Sequence, residues 1–436
     1  MNGDGSVKSE VRSLPREADF TLQTSDLFRR TFTHVVATLT RILGPRHLAL
    51  AEEVAQDALV KALQVWPHEG QPANPTAWLI QVAKNRALDH LRRDRWLADR
   101  APMLEVDSVV PAIETRLRGE PTVPSDDQLA LILLACHPAL NREARVALTL
   151  KTVCGFSVGE IARALLSSEE AVAQRLVRAK RRLREPDVRF EINADEQPER
   201  LESALDVIYL LFNEGYAAHA GHDLVRHELC AEAIRLATAL AADPMLTTPG
   251  VHALLALMLL QAARFATRLD EGPDLLRLED QDRARWDGEL ISRGLWHLDH
   301  AASGDRLTAY HIEAEIAACH AVAGRFEATN WERIATLYDY LLAMKPTPVV
   351  GLNRAIAISR VHGAAAGLDA LRSVAGRDTL ARYYLLHATI GQLTLETGNR
   401  QSAAEHFRAA LACDCSAPER RFLERQLANS EAQPDH

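Results

Sequence analysis

The chain has 436 residues, a formal net charge of −9, 47% hydrophobic residues and six cysteines. That length sets an expectation of two or three domains, and the apolar share is ample for sizeable cores, which argues against a disordered or fibrous chain. Cys136, Cys154, Cys230, Cys319, Cys413 and Cys415 make no C-x-x-C pair, so a disulfide framework is not expected and they read as reduced thiols of a cytoplasmic protein.

Charge is spread unevenly. Residues 1–189 hold 27 basic and 24 acidic side chains, and residues 190–436 hold 23 and 35. Only the front part is therefore expected to touch nucleic acid. The first 24 residues are polar and read as a disordered tail. No signal-peptide pattern opens the chain, and no apolar run reaches the ~18 residues of a membrane span.

A first helical block is expected over residues 25–97. Its opening helix runs from Asp26 to Leu43 and stops at Gly44-Pro45. Next, LALAEEVAQDALVKALQVWP places Ala51, Val54, Ala55, Ala58, Leu59, Ala62 and Trp66 on one side. Glu52, Glu53, Gln56, Asp57 and Lys61 lie off that side, as a solvated face or a partner surface. Asn74 then caps a helix with Pro75 at its first position. Along it, Trp78, Val82, Asn85, Asp89, Arg92 and Trp96 repeat at steps of four and three, passing from apolar to polar. Trp78 reads as core. Asn85 can read a base edge or simply bond nearby polar groups. Arg92 and Arg93 suit phosphates, with Asp89 one turn back to orient them.

Pro102, Pro111, Gly119, Pro121 and Pro124 mark residues 98–125 as a linker, which could extend up to ~90 Å. A second block, residues 126–186, ends in GFSVGEIARALLSSEEAVAQRLVRAKRRLR. Two short helices are expected there, about Ser157 to Leu165 and Glu169 to Arg184, joined by a tight Ser167-Ser168 turn, with Pro186 as a stop. In the second helix Val172, Leu176, Ala179 and Leu183 form one apolar stripe. Gln174, Arg175, Arg178, Lys180, Arg181, Arg182 and Arg184 lie off it, and no acid interrupts the run from Ala171 to Arg184. A helix that packs on one side and is cationic on the other suits the major groove of DNA.

Residues 187–436 read as a long Ala/Leu-rich helical region, and strand signals are nearly absent throughout. The fold expected is all-α. Tyr383 to Ala412 resembles a tetratricopeptide repeat, with helices flanking Gly398-Asn399 and Ala403, Ala404, Phe407, Ala410 and Leu411 turned inward. Irregular pairs are expected near His311–Met344 and Pro348–Val374, a scaffold that suits a protein or peptide partner. Asn213-Glu214-Gly215-Tyr216 reads as a glycine-capped helix end followed by an aromatic plug. LEDQDRARWD, Leu278–Asp287, reads as a buried polar network, a docking surface or a solvated turn.

The order AEEVAQDALVKALQVW, NPTAWLIQVAKNRALDHLRR, linker and QRLVRAKRRLR resembles the extracytoplasmic-function (ECF) class of bacterial RNA polymerase sigma factors over roughly the first 185 residues. The resemblance implies a first domain on the clamp helices of the polymerase's largest subunit and the minus-ten element. It implies a second domain on the minus-thirty-five element and the flap of the second-largest subunit. Carried onto this chain, Glu53, Gln56, Asp57 and Lys61 would face the clamp. Asn85, Asp89, Arg92 and Arg93 would meet the minus-ten element of promoter DNA. Glu170, Gln174, Arg175, Arg178, Lys180 and Arg181 would meet the minus-thirty-five element. Ala171-Val172-Ala173 stands where that family usually has a Thr-Val-Lys type run, so base preference does not transfer. Asp206–His219 and Leu278–Asp287 together resemble a subgroup of these factors that carries a fused helical extension, and that resemblance implies control of activity by the chain itself. A free-standing helix-turn-helix regulator with a helical sensor is the alternative.

No phosphate loop, nucleophile elbow, dinucleotide fingerprint or zincin helix occurs, so no enzyme activity and no cofactor are expected. His222, His227, Glu228 and Cys230, and likewise His311 with Glu315, read as ordinary polar positions rather than metal ligands.

Overall fold

The structure is a computed structural model that describes residues 31–100, 127–185 (except 138 and 166), 197–216, 227–268 and 275–432. The disordered tail expected over 1–24, residues 101–125 of the expected linker and His222 lie outside these residues, while residues 98–100 of that linker are helical. Helices dominate, and the chain forms two compact units, Met1–Ala204 and Leu205–His436.

In the first unit, helix α1 over 31–43 ends at Gly44, whose φ of +87° is the left-handed geometry that glycine tolerates. α2, Leu48–Glu69, buries Leu48, Ala51, Val54, Ala55, Ala58 and Ala62. It runs through Pro67 and stops at Gly70, φ +84°. α3, Pro75–Arg100, opens as expected, with Asn74 Oδ1 accepting from the Ala77 amide at 3.0 Å. Its buried face is Leu79, Ile80, Ala83, Ala87, Leu88 and Leu91, so Trp78 and Val82 flank the core half-buried. Trp78 packs on Trp66, with ring centroids 5.6 Å apart.

The remaining helices of this unit are α4 (Asp127–Ala135), α5 (Arg142–Thr152), α6 (Val158–Ala164) and α7 (Glu169–Arg182). α8, Gln197–Tyr216, carries the boundary between the units. Its first turns are pinned to α5 by Arg145, which is 5% exposed. Arg145 donates to Leu140 O at 2.8 Å and to Ser203 Oγ at 3.1 Å, and pairs with Glu199 Oε1 at 2.5 Å. A buried guanidinium needs that set of acceptors to offset its desolvation.

The second unit starts from α8, which continues through Gly215 to Tyr216. The expected glycine cap is thus corrected: Gly215 is buried in the helix and is not among the positive-φ glycines. Tyr216 does pack as a plug, on Phe212 and Phe265 and under the Arg268 guanidinium, 4.0 Å from its centroid. α9 (His227–Ala242) and α10 (Pro249–Ala262) follow.

Pro249–Thr267 is long and apolar enough to pass as a membrane span by length and composition, which corrects the sequence expectation. Its α-helical part, however, has 14 residues, about 21 Å at 1.5 Å per residue, short of the ~30 Å hydrocarbon core. Val251, Ala253 through Leu260 and Ala262 are buried inside the unit, so α10 is a core helix, apolar all round because neighbours surround it.

Around α10 pack α11 (Gly288–Ala301) and α12 (Ala309–Ala321). Then come the expected helix pairs: α12 with α13 (Trp331–Met344), α14 (Pro348–His362) with α15 (Ala364–Arg372), and α16 (Tyr384–Glu396) with α17 (Arg400–Leu411). α18, Ala417–Glu431, closes the series. Each core shares a helix with the next: Ile334, Leu337 and Leu341 with Val350; Leu352 and Leu371 with Ile390 and Leu393; Ala388 and Phe407 with Leu423. The α16–α17 turn uses Gly398, φ +89°, and Asn399, whose side chain accepts from the Ser402 amide. Burial of Ala403, Ala404, Phe407 and Ala410 follows the sequence reading.

Candidate nucleic-acid interface

α6 and α7 form the helix-turn-helix. Ser157 and Glu160 cap α6 reciprocally: the Ser157 amide donates to Glu160 Oε2 at 2.8 Å and the Glu160 amide to Ser157 Oγ at 3.2 Å. Ser168 caps α7 by accepting from the Ala171 amide at 3.2 Å. Val172, Leu176, Ala179 and Leu183 are all buried, as the stripe predicts. That burial fixes the rotation of α7 and turns Glu170, Gln174, Arg178 and Arg181 to solvent.

The exposed face is internally ordered. Gln174 Nε2 donates to Glu170 Oε1 at 3.4 Å, and Arg178 Nε to Gln174 O at 3.3 Å. Arg175 is half-buried, held by Glu143 at 2.9 Å and by Ser167 Oγ at 3.3 Å. Lys180 is 25% exposed and pairs with Glu52 Oε2 on α2 at 2.5 Å. α7 therefore presents Gln174, Arg178 and Arg181 to solvent, with only contacts along the helix itself on Gln174 and Arg178, while Arg175 and Lys180 are engaged by other segments.

On α3, Asn85, Asp89, Arg92 and Arg93 are all exposed. Asn85 Oδ1 accepts from Gln81 Nε2 at 3.1 Å, which leaves its amide N–H groups outward. Asp89 lies 3.8 Å from Arg92, one turn apart as expected. The side chain of Trp96 lies outside the described residues. Beneath this face Lys84 is buried at 2% exposure, and burial with Arg41 pulls its ammonium below the usual lysine range. On α2, Glu53, Gln56 and Lys61 are exposed and Asp57 half-buried, beside the exposed apolar side chains of Val60 and Leu63.

Sequence reasoning missed Lys84, Arg145 and the role of Glu52. Arg145 was legible in part: it shares a helical face with Leu148, Thr149 and Thr152, all buried. Glu52 carried no signal, because its partner stands 128 residues away. Among the described residues, no group of three His, Cys, Asp or Glu side chains could hold a metal. Instead His311 caps α12, with Nδ1 accepting from the Thr308 amide at 3.1 Å and Nε2 facing Ala301 O at 3.1 Å.

Residues 27–97 match the family described as Sigma-70 region 2, residues 130–183 match Sigma-70, region 4, and residues 200–302 match a family of unknown function. An uncharacterized protein of Rhizobium meliloti is 39% identical over 89% of this chain and 92% of its own length. A probable RNA polymerase sigma factor, RfaY, of Xanthomonas campestris is 30% identical over 36% of this chain and 37% of its own. The ECF RNA polymerase sigma factor BldN of Streptomyces coelicolor is 27% identical over 36% of this chain and 60% of its own. No solved structure matches. Two sigma regions in order, each with a helix whose polar face is exposed, place the chain in a family: it belongs to the ECF-type RNA polymerase sigma factors, transcription-initiation proteins that act with core polymerase at promoter DNA, and carries a further helical extension.

Proposed function

We propose that this sigma factor directs promoter-specific initiation in the cytoplasm through two separate DNA-reading faces, and that its own helical extension controls that activity. In this reading Glu53, Gln56, Asp57 and Lys61 bind the clamp helices of the largest polymerase subunit. Asn85, Asp89, Arg92 and Arg93 meet the minus-ten element. Glu170, Gln174, Arg175, Arg178, Lys180 and Arg181 meet the minus-thirty-five element, and the second domain also contacts the flap of the second-largest subunit. The extension, with its tetratricopeptide-like pairs, offers a surface for a protein or peptide partner.

The observation that carries this reading is the division of α7 into a fully buried stripe and an exposed face of Gln174, Arg178 and Arg181. Such a helix is held rigidly by its domain while its donors can enter a groove and pair with phosphates and base edges. α3 repeats the arrangement with Asn85, Arg92 and Arg93. Control by the extension is supported by its size, more than half of the chain, and by its many internal cores.

Run-off transcription with purified bacterial core polymerase and a library of promoter fragments tests the reading. The full chain is compared with one ending at Ala204, which keeps Glu199 and Ser203 on Arg145. Specific transcripts establish the sigma activity, and their rise or fall on truncation gives the sign of control. Equal activity of the two forms refutes control by the extension. No transcript from either, with sequence-specific DNA binding in the absence of polymerase, would instead make the chain a free-standing regulator.

A further inference from the structure

Trp286 is flanked by two arginines in the second unit. The Arg264 guanidinium carbon lies 5.4 Å from its ring centroid and that of Arg283 lies 5.0 Å. Trp286 is only 7% exposed. Its indole Nε1, the Nε atoms of Arg264 and Arg283, and His320 Nδ1 are buried, and none has a hydrogen-bond partner among the described residues. Each buried N–H left so costs about 1–3 kcal/mol, and native proteins rarely group several at one place.

The two arginines differ in what holds them. Arg283 donates to the His320 and Ala323 carbonyls at 2.8 Å each and to Thr329 Oγ1 at 3.0 Å, so it is clamped to the segment between α12 and α13. The Arg264 side chain makes no hydrogen bond and no ion pair among the described residues; its one partner is the Trp286 ring. Glu327 is an acid whose field reaches Arg283, yet it forms no salt bridge with it. Burial and then the Arg264 charge lower the Arg283 pKa. Burial and both arginines push His320 down to about 3, so it stands neutral. Two cations gathered with no carboxylate in salt-bridge contact repel each other unless an anion joins them.

The geometry points to an oxyanion pocket, walled by Arg264, Arg283, Trp286 and His320, that receives the carboxylate or phosphate group of a small ligand. The guanidinium forks match either group in shape and charge, and the indole N–H adds a neutral donor. The unpartnered donor atoms are closed off, so a broad macromolecular surface does not reach them, and a small group reaches them as the Arg264 and Arg283 side chains shift. Arg264 and Arg283 themselves are half-exposed, which leaves a way in. This pocket stands apart from the DNA-reading faces and does not depend on whether the extension controls transcription.

The full chain is titrated with inorganic phosphate and, separately, with malonate at constant ionic strength against sodium chloride, following intrinsic tryptophan fluorescence and melting temperature. A saturable response to phosphate, to malonate or to both is expected, and which probe responds assigns the group. Arg264→Gln removes no hydrogen bond from the protein and should weaken that affinity about tenfold, the scale of one charge-assisted hydrogen bond. Trp286→Phe should abolish the fluorescence change. If neither probe saturates beyond the chloride control, or if Arg264→Gln titrates like the parent while melting normally, the pocket is refuted.

Discussion

Lys180 of α7 and Glu52 of α2 form an ion pair, Nζ to Oε2 at 2.5 Å, between the two sigma domains. Both are largely enclosed, 25% and 15% exposed. A cation proposed for the minus-thirty-five element is therefore neutralised in the free chain by the domain proposed for the minus-ten element. The pair competes with phosphate for the same ammonium.

Glu52→Gln should free Lys180 and tighten binding of a minus-thirty-five duplex to the isolated chain. A partly enclosed pair is worth about 1 kcal/mol, so the gain should be about fivefold at low salt. Fluorescence anisotropy measures it. Unchanged affinity would mean that the contact does not hold the domains together in solution.

Arg175→Ala with Arg178→Ala should abolish promoter use while leaving core-polymerase binding intact. Arg175 also loses its contact to Glu143, an exposed acid, so the cost in stability should stay below about 1 kcal/mol. Co-purification with core polymerase and run-off transcription separate the two effects. Loss of core binding would sink the placement of these residues at DNA.

Glu53→Ala with Asp57→Ala should weaken core binding several-fold, because both lie on the outer side of α2, away from its buried alanines. Competition for core polymerase against a labelled sigma factor reads this directly. Assembly and transcription at parental levels would refute the clamp assignment.

Gly367→Ala should destabilise the second unit. A Cβ there would lie 2.5 Å from Ser359 Cβ, 3.1 Å from Leu393 Cδ1 and 3.2 Å from Ala355 O, where α14, α15 and α16 meet. Alanine's helix propensity returns about 1 kcal/mol, but overpacking costs about 1–3 kcal/mol and more against backbone. A net loss of about 1–2 kcal/mol by urea denaturation is expected; a gain would show that the helices separate freely.

Acid should weaken the same unit. Burial first, and neighbouring cations second, lower His320 to about 3 and His297 to about 4. An unfolded histidine takes its proton near 6.5. Between pH 6.5 and about 4 the unfolded chain therefore binds more protons, and stability falls as pH falls through that window. Melting temperature followed from pH 7 to pH 4.5 should decline, and His320→Gln should flatten the slope. A flat parental profile would contradict neutral burial of these rings.

How much was legible beforehand follows from the range of each interaction. Period alone sufficed for the α7 stripe, since Val172, Leu176, Ala179 and Leu183 fall on one face of any α-helix. Local chemistry sufficed for the Asn74 cap, which needs only the next three residues. The α16–α17 pair was likewise legible from Gly398-Asn399 and its alanines. Helical class, the order of the sigma regions and the exposed basic faces were thus determined by the sequence itself.

Tertiary structure alone decided which outward groups are already spoken for. Lys180 and Arg181 look alike in the sequence, yet one meets Glu52 across 128 residues and the other faces water. Gly215 looked like a cap until neighbours enclosed it within α8. LEDQDRARWD allowed three readings, and packing divides the segment: Gln281 and Trp286 are buried, Asp280, Asp282, Arg285 and Asp287 are exposed, Arg283 is bonded across the α12–α13 segment and Glu279 is paired to Arg360 at 3.2 Å. Periodicity and capping are local and repeat wherever the residues recur, whereas pairing of charges and burial of polar atoms depend on which distant segment arrives.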